Sequence, residues 1–273
     1  MQTAKAQQAT YSKHIARGDL WQRASGGICV LPSVRGEPVV AASAVKNRLL
    51  AALPPDVLVR LVPRLRSVPL NVRNNIMVPN TEIEAVYFVE SGWVSLVTLL
   101  EDGAQAEVGI VGREGMVGVP LVTGVDTAFV DAYVQADGSA LRMDAANFRR
   151  TMDEEPEFRR LLLRYLEVMI AQITQTAACN GRHGLEQRLA RWLLMAHDRA
   201  EGDNLQITQE FLSMMLCVYR PTVSVAARAL QRAGIIRLGR GRITVLDREG
   251  LEASACDCYQ TVRHRTARLL GPP

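Results

Sequence analysis

The sequence predicts an α+β protein whose two halves are built differently. Three observations carry that prediction. Short β-prone runs follow one another between Val86 and Met143, apolar residues recur at helical spacing from Leu162 to Thr176, and residues 207–250 read as helix, turn, helix and a two-stranded ribbon. A series of short strands with regular turn signals builds a sandwich, jelly roll or barrel, whereas the later pattern is helical.

Composition sets the outer bounds. A chain of 273 residues is long enough for one or two domains with a proper core. Hydrophobic residues make up 48% and charged residues 22%, an ordinary globular balance, and the net charge is only +4. No run approaches the ~20 apolar residues of a membrane span, and the N-terminus lacks the apolar centre of a secretory signal. Five cysteines in a chain this long do not form a disulfide framework. Together these features imply a reducing, cytoplasmic setting without a membrane partner.

Residues 1–44 are polar and glycine-dotted, and are expected to be a disordered extension. Lys5, Lys13, Arg17 and Arg23 would allow it to act as a contacting arm. Structure is expected from Val45. NRLLAAL and PPDVLVRLVPRLR read as two short helices, the second opened by Pro54-Pro55. Strands are expected over Val86–Val89, Trp93–Leu100, Ala106–Val111, Val117–Val122, Ala128–Gln135 and Ala140–Met143, with Asp102-Gly103 as a hairpin turn.

A long helix is predicted from Pro156. Leu162, Leu166, Met169, Ile173 and Thr176 step by alternating fours and threes, a coiled-coil seam with Tyr165 and Ile170 alongside. Packing on its own roll alone is the alternative. Asn180-Gly181-Arg182-His183-Gly184 is expected to interrupt that helix, because glycine in a helix interior costs about 1 kcal/mol relative to alanine. Leu185, Leu189, Trp192, Leu193 and Ala196 then give an amphipathic helix.

Thr208 stands at the N-cap of the next helix, which buries Phe211, Leu212, Met215 and Leu216. The break falls at Cys217-Val218-Tyr219, and Pro221 sits in the first turn of the second helix, where its missing N–H is harmless. Val223, Ala227 and Leu230 face inward, while Arg220, Ser224, Arg228 and Arg232 share another face. Ile235–Leu238 and Ile243–Leu246 flank a Gly239-Arg240-Gly241-Arg242 turn. Between Tyr219 and Arg248 the chain holds seven arginines, one aspartate and no other charge, a local net charge of +6. Arginine forks onto guanine edges or grips phosphate, and serine or threonine serves either, so the face suits a DNA major groove. The candidate DNA contacts are Thr208, Arg220, Thr222, Ser224 and Arg228, with Arg240 and Arg242 on the backbone.

The run RPTVSVAARALQRAGIIRLGRGRITVLDREGLE resembles the winged helix of the Crp/Fnr family of bacterial transcription regulators, and the similarity extends from about residue 46 to about 260. The resemblance implies a cyclic-nucleotide-binding-like β-roll over residues 45–153, a dimerisation helix and hinge over 154–183, and a winged helix with a last helix over 184–273. It also implies a homodimer on an inverted-repeat site, with RNA polymerase as a further partner. Two positions depart from the family. Cys217 stands where relatives usually carry a turn glycine, and Pro221 where many carry a base-contacting glutamate. Asn80 likewise replaces a turn glycine, as the next-best residue at positive φ.

Family members that bind a cyclic nucleotide hold its ribose with a glycine-glutamate pair and its phosphate with an arginine. Here Gly112, Arg113, Glu114, Gly115 and Met116 form the matching candidate effector pocket. From Glu114 through Leu141 there is no lysine or arginine, while Asp126, Asp131 and Asp137 are present. A buried phosphate without a cation partner is costly, so a cyclic nucleotide is not expected and the effector is left open. The histidines, His14, His183, His197 and His264, all lie outside the roll, which excludes a cupin-type metal enzyme. With no nucleophile elbow or phosphate loop either, no enzyme, cofactor or metal is expected. Cys256-Asp257-Cys258 with His264 is a weak metal or redox signal; surface or interface thiols are the plainer reading. Two alternatives remain beside the regulator: a DNA-binding protein with a purely structural roll, and a sensor acting mainly through protein contacts.

Overall fold

A computed structural model describes residues 42–101 and 103–271. The predicted extension, with Lys5, Lys13, Arg17 and Arg23, lies outside these residues up to position 41. Asn47 opens the described chain as a buried cap. Its side-chain oxygen accepts from Leu50 N at 2.9 Å, and its amide donates to Val89 O and Gly115 O, at 2.7 and 2.9 Å. It starts α1 (Arg48–Ala51), and Pro54 precedes α2 (Pro55–Leu61). Both helices bury leucines against the roll.

The roll comprises β1 (Arg66–Leu70), β2 (Asn75–Met77), β3 (Ala85–Leu99), β4 (Gln105–Val111), β5 (Met116–Val117) and β6 (Asp131–Asp144). The strand order is β1-β6-β3-β4, with β2 also on β6 and β5 on β3, all antiparallel. Two pairs of predicted strands have fused. Glu90-Ser91-Gly92 reads as a break, yet β3 passes through it as a bulge opposite Ala136–Ser139 of β6, with Gly92 at φ 71°. Val117–Val122 is only partly strand. Pro120 and the positive φ angles of Gly118 and Gly124 turn residues Val119–Thr123 into a 3-10 helix. The β3–β4 loop closes with Leu100 N donating to Ala104 O at 2.8 Å, so it spans three residues rather than two; Asp102 lies outside the described residues. Asn80 has the expected positive φ, 60°.

Next come α3 (Ala145–Glu154), α4 (Pro156–Arg182), α5 (Leu185–His197), β7 (Asn204–Leu205), α6 (Gln209–Met215) and α7 (Arg220–Arg232). The ribbon is β8 (Ile236–Gly239) and β9 (Arg242–Val245), and β7 joins it as a third strand on β9. α8 (Arg248–Ser254) and α9 (Cys258–Leu270) complete the chain. The predicted interruption at 180–184 is smaller than expected: α4 runs through Gly181, and only His183 and Gly184, both extended, separate it from α5. α9 lies along α4, tied by an Arg265–Glu167 ion pair at 2.9 Å and by Gln175 Nε2 donating to Cys258 Sγ at 3.0 Å.

Two cores result. One fills the roll and takes in Phe158, Leu162, Tyr165 and Met169 of α4. The other lies under the helix-turn-helix and takes in Trp93, Val97 and Ile110 from the outer face of the sheet. This explains why β3 reads as a continuous run, with Trp93 to Val97 buried throughout. Val94 and Leu96 face the roll core, and Trp93, Ser95 and Val97 face the helices.

Candidate nucleic-acid interface

The exposed surface is assembled from α6, α7 and the ribbon. Thr208 caps α6, its hydroxyl accepting from Phe211 N at 3.1 Å and keeping its proton available for an outside acceptor. Leu212 and Met215 anchor α6 inward. The turn needs a left-handed residue, and Cys217 supplies it at φ 51°. This is the position of the family's glycine, so an L side chain is held in a region that costs it about 1–2 kcal/mol. α7 then buries Val223, Ala226, Ala227 and Leu230. Its opposite side presents Arg220, Thr222, Val225, Arg228 and Arg232 to solvent.

Ser224 behaves differently from its predicted neighbours. It is half-buried, and its hydroxyl bonds to Gln209 Oε1 and to Arg220 O, joining α7 to the start of α6. Arg228 folds back so that its Nε donates to Ser224 O at 3.0 Å. Val225 and Tyr219 were missed in the sequence, though both are exposed, Tyr219 by 86%. Val225 lies three residues from Thr222 and from Arg228 and outside the inward set, which was the available signal.

The ribbon turns through Arg240-Gly241, with Gly241 at φ 70° and Gly239 opposite Arg242. Gln231 Oε1 accepts from Leu238 N at 2.9 Å, fixing the end of α7 to the ribbon. Arg220, Arg232, Arg237, Arg240 and Arg242 form no ion pair among the described residues. Arg248, counted with them by sequence, is instead bonded to Asp198 at 2.6 Å and to Glu252 at 3.0 Å behind the surface. Exposed arginines of this kind suit phosphate oxygens and guanine edges.

A family model for the Crp-like helix-turn-helix domain matches residues 187–254, and one for the cyclic nucleotide-binding domain matches residues 74–155. The chain belongs to the Crp/Fnr family of transcriptional regulators. Solved structures agree in fold. FixK2 from Bradyrhizobium japonicum is 19% identical with a TM-score of 0.61, and covers 70% of this chain and 98% of its own. TTHB099, a transcriptional regulator of the CRP family from Thermus thermophilus, is 23% identical with a TM-score of 0.59, covering 69% and 96%. The c-di-GMP-responsive global regulator CLP from Xanthomonas campestris is 16% identical with a TM-score of 0.58, covering 70% and 99%. No curated protein sequence matches the chain. Regulators of this family are DNA-binding proteins rather than enzymes. Among the described residues, no helix is long and apolar enough to cross a membrane.

In this Crp/Fnr regulator the predicted effector segment is tightly packed at Gly115 and Met116 and exposed at Arg113. A side chain at Gly115 would collide with the Tyr165 hydroxyl, and Tyr165 donates to Met116 O at 3.2 Å. Arg113 O accepts from Arg48 N at 2.7 Å. Glu114 accepts from Gly112 N at 3.1 Å and pairs with Arg199, just beyond α5, whose Nε is 2.9 Å away. Burial opposes charge on Glu114, but Arg199 and the backbone donors outweigh it and lower its pKa. A cleft of about 330 Å³ opens on the far side of Glu114, between Arg48, Leu49, Thr266 and Leu270.

A second acid, Glu107, is buried and joins the halves. Glu107 of β4 accepts from Ser95 Oγ and from Trp192 Nε1 of α5, the latter at 2.7 Å. Burial pushes its pKa up to about 7, although both hydrogen bonds oppose the shift. Within the predicted strand Ala106–Val111, nothing local marks Glu107 as buried.

The predicted seam also divides. Leu162 and Met169 are buried against their own roll. Leu163, Ile170 and Ile173 are exposed, with Leu166 half-buried among them. That stripe steps by three, four and three; it shares Leu166 and Ile173 with the predicted seam and has Leu163 and Ile170 in place of Leu162 and Met169. The predicted association of Cys256 and Cys258 with His264 is corrected as well. Both cysteines are buried, His264 is exposed, and the histidine beside Cys258 is His183.

Proposed function

We propose that this Crp/Fnr regulator is a homodimer that reads an inverted-repeat DNA site. Arg220, Thr222 and Arg228 address base edges, and Val225 suits a thymine methyl. Arg240 and Arg242 address phosphate, with Thr208 as a further backbone contact. Ser224 acts by positioning α7 on α6. The observation that carries this reading is the outward arginine face on a buried, cross-braced helix. A second copy would pair along Leu163, Leu166, Ile170 and Ile173, because α4 is otherwise covered by the roll and by α9. Half-sites would then lie about one helical turn apart, ~34 Å.

Control works through the posture of the winged helix on the roll. The Glu107–Trp192 and Glu114–Arg199 contacts favour the arrangement described here, and a signal acts by binding a rearranged state with different affinity. A cyclic phosphate does not suit this roll, since Glu114 to Leu141 offers no cation and Glu114 is already paired. The closure at Gly115 favours a second reading, in which the roll is structural and DNA binding needs no ligand. A cytoplasmic setting, where thiols stay reduced, accords with both.

The test is sedimentation of full-length wild type and an Ile170→Asp/Ile173→Asp variant, each with and without duplex carrying a selected site. The proposal expects wild type to sediment as a dimer and the variant as a monomer that binds half-sites weakly. A monomeric wild type on full-length sites, or an unchanged dimer in the variant, would contradict it. Adding cyclic nucleotides should leave wild-type binding unchanged.

A further inference from the structure

Away from the arginine face, four side chains with metal-binding atoms converge where α4, the hinge and α9 meet. They are Cys179, His183, Cys256 and Cys258, and their donor atoms all lie within 4.8 Å of one another. Cys179 Sγ is 3.5 Å from Cys256 Sγ, and Cys258 Sγ is 3.5 Å from His183 Nδ1. In a tetrahedral zinc site, with Zn–S ≈ 2.3 Å and Zn–N ≈ 2.0–2.1 Å, ligand atoms stand about 3.5–3.8 Å apart. Those two separations match that edge length, and the remaining ones are all below 4.8 Å.

The chain builds this meeting from two short segments. Cys179 lies in the last turn of α4, and His183, four residues on, caps that turn with its N–H donating to Cys179 O at 3.0 Å. Cys256 and Cys258 flank one residue between α8 and the first turn of α9. All three cysteines are buried, at 0%, 5% and 1% exposure.

The surroundings fit a metal better than they fit a thiol pair. His183 turns Nδ1 toward Cys258 Sγ and leaves Nε2 on the far side, 3.7 Å from the exposed Asp257 carboxylate, so the ring presents one nitrogen to the sulfurs. Gln175 Nε2 donates to Cys258 Sγ, and such a bond supports a thiolate. Arg191 is buried to 6% exposure beside Cys179, and its Nε has no hydrogen-bond partner among the described residues. Three thiolates and a neutral imidazole around a divalent ion carry one net negative charge, which this cation balances. A simple disulfide would use two of the four groups and leave the histidine, the third sulfur and the arginine unexplained.

We propose that Cys179, His183, Cys256 and Cys258 form a closed four-coordinate site for zinc. Soft thiolate ligands and full protein coordination select a structural ion of this class. Such an ion would clamp the end of α4 and the His183-Gly184 link to the C-terminal part of the DNA-binding domain, and so fix the angle at which α5 leaves. Ligand deprotonation means that binding releases protons.

The test is elemental analysis of full-length protein purified without chelator, followed by replacement of the ion with cobalt. About one zinc per chain is expected, with cobalt giving the absorption of a tetrahedral thiolate site. Cys256→Ser and Cys258→Ser should each lose the stoichiometry and the cobalt bands. Cys217→Ser, at the exposed cysteine of the helix-turn-helix, should keep both. Cys258→His exchanges one ligand for another, so it should retain cobalt with a shifted spectrum even where the serine variants fold poorly. Reduced protein with neither zinc nor cobalt absorption would overturn the proposal. So would metal-free protein carrying a Cys179–Cys256 disulfide, or undiminished metal in both serine variants.

Discussion

On the outer face of the winged helix Arg220, Arg240 and Arg242 reach into solvent and form no ion pair among the described residues, whereas behind it Arg199 is largely enclosed, its side chain 12% exposed, against Glu114. The same residue type does opposite work on the two faces. Exposed arginines keep their hydration and remain free for phosphate or guanine. Buried ones have given up hydration and are held by a carboxylate, so their value lies in the posture they fix. In the proposed reading the outer face sets what is bound, and the inner face sets where that outer face stands.

The largest effect should come from the inner face. Glu114→Ala leaves the largely enclosed Arg199 without its carboxylate and should cost about 3 kcal/mol in denaturant unfolding. Replacing both residues with leucine should recover a large part of that loss, because it removes the stranded charge. If Glu114→Ala costs nothing, the two halves are not held by this pair.

Glu107 should make the same interface sensitive to pH. Its pKa rises from 4.5 to about 7 through burial. Between those values the folded protein keeps a proton that the unfolded chain has released, so stability falls as pH rises across that window, by about 3 kcal/mol in total. Glu107→Gln should flatten the dependence of Tm on pH between about 5 and about 7. An unchanged profile would mean that the carboxyl is solvated.

Effects on the outer face should be smaller and should appear in DNA binding rather than in folding. Arg220→Ala should weaken a selected site by about 1–3 kcal/mol and relax its sequence preference. Arg240→Ala should weaken all sequences alike and reduce the salt slope by about one unit. A change in preference at a single base pair would remove the ribbon from the phosphate backbone. Smallest is Cys217→Gly, which relieves a left-handed L residue and should stabilise by at most about 1 kcal/mol, with binding unchanged.

The outer face was the more legible of the two. Capping, inward apolar spacing and a glycine-arginine turn are local signals, and Thr208, Pro221, Val223 and Gly241 can be read from a few neighbours. Ser224 was misjudged because its partner Gln209 lies fifteen positions away on another helix. The roll was legible as a set of strands but not in its joins, since a bulge such as that at Gly92 resembles a break. Glu107 and Arg199 left almost no trace, because a charge on a strand gives no sign of being buried by a distant domain. The α4 stripe could be read only in period, for helical spacing alone does not say which of two adjacent rows the roll will cover. Cys179 and Cys256 are 77 residues apart, and only the packing of α9 along α4 brings them together.

The most direct test of the central claim is a genomic-fragment binding selection with purified ligand-free protein at two salt concentrations, wild type beside Arg220→Ala. The account predicts one inverted-repeat motif for wild type at both salts, lost or relaxed in the variant. Enrichment of the same motif by both proteins, or of no motif by wild type at either salt, would contradict it.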